Sequence, residues 1–219
     1  GPPSPTTTTI TADSASMVAN GSSSSTITVE IRDASGNLVG ASAGPVTLAT
    51  TLGSLGAVTD HDDGTYTATL TTGTVTGTAV VTGTLNAAAI QDSAVVQFAA
   101  GPPDTNNTTT ITANPTTIGT SLSNTASAGD LQIAAVRVLP DTSTITVTVR
   151  DANGNLLGAS AGTVTLSTTL GSLSAVVDHN DGTYTATLTA GTTAGTATVT
   201  GSLNGVAIAD TATVTIQAQ

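Results

Sequence analysis

Residues 26–37 read Thr-Ile-Thr-Val-Glu-Ile-Arg-Asp-Ala-Ser-Gly-Asn, and residues 144–155 read Thr-Ile-Thr-Val-Thr-Val-Arg-Asp-Ala-Asn-Gly-Asn. In both runs an apolar side chain at every second position alternates with a polar one, the period of a strand with one buried and one wetted face. Each run stops at an Asp-Ala-x-Gly-Asn turn, and in the second the central pair is Asn-Gly, a strong hairpin signal. The match extends outward: residues 26–98 align with residues 144–216 at a shift of 118 positions, and 52 of the 73 pairs are identical. The chain is two copies of one unit, and duplication of a whole unit suits a building block better than an active site.

The same period continues within each copy. Tyr66, Ala68 and Leu70 alternate with Thr65, Thr67 and Thr69, while Ala79 and Val81, then Ile90, Ala94 and Val96, mark two further strands. Short alternating strands about ten residues apart, punctuated by glycine, predict an all-β antiparallel sandwich. Composition agrees: 50 of 219 residues are threonine, which is β-branched and favours extended chain. The core must come from Val, Ile, Leu and Ala, because Trp is absent and the aromatic residues are Tyr66, Phe98 and Tyr184. The predicted division is a first domain at 1–100, a Gly-Pro-Pro linker at 101–107, and a second domain at 108–219 with an insertion near 115–143.

Charge excludes several functions. Thirteen Asp and one Glu face three Arg and no Lys, a net charge of -11. A nucleic-acid backbone requires clustered cations, as does an anionic membrane surface. No apolar run approaches the roughly 18 to 20 residues of a spanning helix. Missing lysine also removes the amine for an isopeptide cross-link to a neighbour. Cysteine is absent, so no disulfide can staple the domains.

The turn Asp60-His61-Asp62-Asp63-Gly64 returns as Asp178-His179-Asn180-Asp181-Gly182, each time before Thr-Tyr-Thr-Ala-Thr-Leu. With the Arg-Asp-Ala-x-Gly-Asn turn, the Thr-Thr-Leu-Gly-Ser-Leu segment and a closing Val-rich strand, this pattern resembles the group 1 bacterial immunoglobulin-like (Ig-like) domains of the invasin and intimin adhesins. The resemblance covers both copies nearly end to end. It implies two tandem Ig-like antiparallel β-sandwich domains, strung into rods that hold an adhesive tip away from a bacterial outer membrane. It also implies an extracellular location at the bacterial cell surface, with neighbouring Ig-like domains of the same protein as partners. Receptor binding in that family resides in terminal modules that carry a disulfide, so a structural spacer is the expected role. The alternative is a filament subunit, in which the N-terminal Pro-Thr segment or the insertion completes a sheet edge of an identical subunit.

Few residues offer chemistry. Asp60, Asp62 and Asp63, with Asp178 and Asp181 in the second copy, supply hard oxygen ligands that suit calcium. The spacing is not that of an EF-hand, and Asn180 replaces one carboxylate, so a turn in which Asp caps backbone amides is the competing expectation. His61 and His179 stand alone in their copies, short of the three protein ligands usual for catalytic zinc. No Gly-x-Ser-x-Gly or phosphate loop occurs, and the chain is expected to be neither an enzyme nor the holder of any cofactor beyond that calcium. Asp92 and Asp210 fall in register with apolar neighbours, which predicts either a bulge that turns them outward or pairing with Arg32 or Arg150. In the insertion, Ile118, Leu122, Leu131, Ile133 and Val136 are too apolar for a solvated loop. They either fold over their own sandwich or contact a partner.

Overall fold

A computed structural model describes residues 1–120 and 139–218. Its contacts divide the chain into Gly1–Gly101 and Pro102–Gln219. The first unit contains β1 (Thr9–Ala12), β2 (Ser16–Val18), β3 (Ser24–Glu30), β4 (Val46–Thr50), β5 (Ser54–Leu55), β6 (Thr59–Asp60), β7 (Thr65–Thr71), β8 (Gly77–Leu85), β9 (Ala88–Ala89) and β10 (Ala94–Ala99). The second repeats them in order as β11 (Thr110–Asn114), β12 (Thr117–Gly119), β13 (Thr142–Thr148), β14 (Val164–Thr168), β15 (Ser172–Leu173), β16 (Val177–Asp178), β17 (Thr183–Thr189), β18 (Gly195–Leu203), β19 (Val206–Ala207) and β20 (Ala212–Gln217).

Each unit is an Ig-like sandwich of two sheets. In the first, one sheet runs β1-β3-β7-β5 with β6 also on β7, and the other runs β2-β10-β8-β4 with β9 also on β8. Pairing is antiparallel except between β2 and β10, which run in the same direction. Among the described residues the second unit has the same order and the same single parallel pair, β12 with β20. The two-residue period decides what is buried. Ile27, Val29 and Ile31, Tyr66, Ala68 and Leu70, Ala79 and Val81, and Val96 and Phe98 all point inward and are buried, as are their counterparts in the second unit. Two core differences between the copies fall on one pair of touching strands. Phe98 lies beside Met17, and Ile216 beside Ile118, so the two differences are register partners across one strand pair.

Three expectations are corrected. Ile90 and Asp92 do not belong to the last strand, which begins at Ala94; Ile90 is a buried residue of the preceding loop. Most of segment 101–107 is docked rather than linker: Pro103 bridges Asp151, the Asp104 N–H donates to the Arg150 carbonyl at 2.8 Å, and the Ala209 N–H donates to that of Thr105. The first copy is held alike, by Pro3 on Asp33 and the Ser4 N–H on the Arg32 carbonyl. Third, Ile118 is fully buried in its own core on β12 and so is not a partner contact. A three-residue strand is too short for its period to show in sequence. Leu122, Leu131, Ile133 and Val136 lie outside the described residues.

The turn between β8 and β9 yields a first prediction. Asn86 and Ala87 have φ of 50° and 66°, and in the second copy Asn204 and Gly205 have 50° and 81°. Alanine in the left-handed region is strained by its Cβ, whereas glycine is not. Ala87→Gly is expected to stabilise the first domain by about 0.5–1 kcal/mol, the relief of strain being partly offset by a freer unfolded chain. A urea titration that shows a lowered midpoint would contradict this.

Candidate functional site

The acidic turn after β6 uses its carboxylates on its own backbone. Asp60 Oδ1 accepts the Asp62 N–H at 2.9 Å and Oδ2 accepts the Ser42 hydroxyl. Asp63 Oδ1 accepts the Thr65 N–H at 2.9 Å and the Thr65 hydroxyl. In the second copy Asp178 accepts from Asn180 and Ser160, and Asp181 from Thr183. The Asp62 and Asn180 exchange then has a local reason. Both have φ near 57°, a conformation that Asp and Asn tolerate alike, so the position requires left-handed backbone rather than charge. Among the described residues no three His, Cys, Asp or Glu side chains form a group that could hold a metal ion. His61 Nε2 is 2.9 Å from the Thr67 hydroxyl, and His179 is placed likewise on Thr185.

A second staple closes the turn after β3. Asp33 Oδ1 accepts the N–H groups of Ser35 at 2.9 Å and Asn37 at 3.0 Å, while the Asn37 amide donates to both its oxygens. Thr7 donates its hydroxyl to the Asp33 carbonyl, which ties the entering chain to the turn. Asp151 repeats the set with Asn153, Asn155 and Thr108. Arg32 and Arg150 each donate to the carbonyl of the turn glycine, Gly36 or Gly154, at 2.8 Å.

Asp92 and Asp210 neither bulge from a strand nor pair with arginine. Asp92 Oδ2 accepts the Ile10 N–H at 2.8 Å, and Asp210 Oδ2 the Ile111 N–H at 2.8 Å, clamping the first strand to the loop before the last. The partners are 82 and 99 residues apart, so local periodicity cannot show them. Sequence reasoning also missed the tyrosines. The buried Tyr66 hydroxyl accepts the Ala43 N–H at 3.0 Å and donates to the Gly44 carbonyl at 2.9 Å; Tyr184 does the same with Ala161 and Gly162. One tyrosine per copy, at the same place in an alternating strand, is the available signal. A shallow depression of about 250 Å³ beside Tyr66 is lined by Gly44, Pro45, Val46, Val58 and Asp60.

These bonds favour the charged carboxylates. The Ser42 hydroxyl and then the Asp62 N–H lower the pKa of Asp60; the Thr65 hydroxyl and N–H lower that of Asp63, and those of Thr183 that of Asp181. A pKa lower in the folded than in the unfolded chain contributes stability above the unfolded value, lost as pH falls through the folded one. Urea midpoints are therefore expected to be level above about pH 5 and to fall steadily between about pH 5 and pH 2. An unchanged midpoint over that range would show that the bonds do not distinguish the protonation states.

The family model for invasin domain 3 matches residues 4–101 and again residues 125–219. Among solved structures, InvD of Yersinia pseudotuberculosis is 32% identical with a TM-score of 0.69, over 99% of this chain and 59% of that one. Invasin, a bacterial integrin-binding protein, is 28% identical with a TM-score of 0.68, over 100% of this chain and 41% of that one. The Escherichia coli adhesin FdeC shares the fold at 23% identity and a TM-score of 0.68, over 100% of this chain and 66% of that one. The chain thus spans less than two thirds of each of these three. With the family matched over both units, the chain belongs to the invasin domain 3 family and consists of two tandem bacterial Ig-like adhesin domains.

Proposed function

We propose that the two domains are spacer repeats in the stalk of a bacterial surface adhesin, working outside the cell, without catalysis or a bound cofactor. The observation that carries this is the recurrence of the polar sets as structural staples. The Asp33, Asp60, Asp63, Tyr66 and Asp92 bonds each return in the second copy and end on the domain's own backbone or on a neighbouring hydroxyl or amide side chain. The covalent connection supports it: Ala100, Gly101 and Pro102 are all that separate β10 from the docked Pro103. In the filament alternative the N-terminal segment would dock on another copy, whereas Pro3 and Ser4 are bonded to their own domain.

A display assay tests the spacer role. A binding module is fixed to an outer-membrane anchor through this chain or through a short linker, on bacteria that keep their surface polysaccharide. Capture of a target-coated bead should rise when the chain is present; equal capture would count against a spacer. The acidic turns need no ion in this account, so the melting temperature is expected to be the same in millimolar calcium and in chelator. A rise with calcium would restore Asp60, Asp62 and Asp63 as ligands.

A further inference from the structure

We propose that the parallel strand pair β2 with β10, and its counterpart β12 with β20, is a shear clamp that carries tension along the stalk, an inference that rests on the spacer role. In the first domain β2 belongs to the entering segment and β10 is the strand by which the chain leaves. Ser16, Met17 and Val18 lie beside Gln97, Phe98 and Ala99. The ladder is closed at both ends: the Gln97 N–H donates to the Ala15 carbonyl at 2.8 Å, and the Ala19 N–H to the Ala99 carbonyl at 2.8 Å. In the second domain Thr117, Ile118 and Gly119 lie beside Thr215, Ile216 and Gln217. There the Thr215 N–H donates to the Thr116 carbonyl and the Thr120 N–H to the Gln217 carbonyl, both at 2.8 Å.

Direction makes this pair a clamp. Two strands that run the same way place the start of the first and the end of the second at opposite poles. Tension between the entering and leaving chain pulls β2 along its own axis against β10, while the inter-strand bonds lie across that axis. All of them share the load and fail together. In an antiparallel pair the two loaded ends would meet at one pole and the bonds would open one at a time. The apolar flank is dry, with Met17 8% and Phe98 0% exposed in one domain, and Ile118 0% and Ile216 2% in the other. Water therefore does not readily replace a strained bond from the core side.

The rest of the entering segment is fastened in the same sense. Four residue pairs join β1 to β3, the Ile10 N–H is held by Asp92, and the Ser4 N–H and Thr7 hydroxyl are held by the Arg32 and Asp33 carbonyls.

Pulling geometry tests this without changing the fold, because the chain has no cysteine and attachment points can be placed at will. Pro2→Cys with Ala100→Cys loads the first domain across its poles, and Ser22→Cys with Ala100→Cys loads the same ladder from one pole. Equal melting temperatures for the two variants establish equal folding. Forced unfolding reports the unfolding barrier, so equally stable variants can differ in rupture force. At one pulling rate the first pair is expected to require a severalfold higher force. Equal forces, or a higher force for the second pair, would overturn the clamp. That result would leave the spacer role to the display assay, which does not depend on rupture force. Should Ser22→Cys prevent folding, the second domain offers the same contrast: Pro102→Cys or Asp141→Cys, each paired with Ala218→Cys.

Discussion

Phe98→Ala is expected to destabilise the first domain by about 3–5 kcal/mol, the range for removing a large buried ring. Phe98 is fully buried on β10, beside Met17 on β2, and its ring closes on Gly53: a Cβ there would come within 3.0 Å of the Phe98 ring carbons. Its own strand, β10, is held by sheet bonds on both sides, to β2 and β8, and cannot collapse freely into the space. For a domain of this size roughly 4–8 °C follow each kcal/mol, so the first-domain transition should fall by more than about 10 °C in calorimetry. The second domain supplies an internal reference, since its transition should not move. Phe98→Ile, the residue that Ile216 represents in the second copy, is expected to recover most of the loss only when combined with Met17→Ile, because the two positions touch. A shift of only a few degrees for Phe98→Ala would contradict the core described above.

Gly64→Ala should be comparably damaging, and its counterpart should not. Gly64 has φ of +86°, and a Cβ there would lie 1.7 Å from the Val39 carbonyl oxygen, which is backbone and has little room to yield. Gly182 has φ of +85°, but its Cβ would meet the Leu156 side chain at 3.2 Å and the Leu157 nitrogen at 3.3 Å. Both substitutions incur about 1–2 kcal/mol for a left-handed L-residue. Gly64→Ala must also displace backbone, for a total of at least about 3 kcal/mol, while Gly182→Ala stays near about 1–2 kcal/mol. Paired urea titrations of the two variants check the difference. Equal losses would mean that the loop before β4 adjusts as easily in one copy as in the other.

The fold was legible in sequence wherever a run was long enough to show its period. Residues 26–31 and 65–70 alternate cleanly, and their apolar members are all buried. The duplication multiplied that signal, since each strand was read twice. What sequence could not show depends on distant partners. Ile90, Asp92 and Ala94 keep the spacing of a strand, yet Asp92 ends in a loop because its carboxylate holds an amide at Ile10. Ile118 sits in an apolar stretch that leaves burial in its own sandwich and contact with a partner both open, and the short β12 takes it into its own core. The direction of β2 against β10, which sets the mechanics, leaves no mark in composition or period.

In the acidic turns the sequence left calcium binding and backbone capping both open, and the side chains of Asp60, Asp63, Asp178 and Asp181 accept from N–H and hydroxyl groups of their own turns or a neighbouring loop. The Asp33 staple was visible only as a turn. Its link to Thr7, and through Thr7 to the entering chain, joins residues 26 positions apart and emerges only in three dimensions.

The spacer role is met most directly by the purified chain itself. Beads coated with it through an end-placed cysteine are offered to cultured host cells, beside beads that carry a known adhesive module. A spacer predicts attachment no greater than that of uncoated beads at any coating density. Saturable attachment, competed by soluble chain, would contradict that role and make one of these domains a receptor-binding surface.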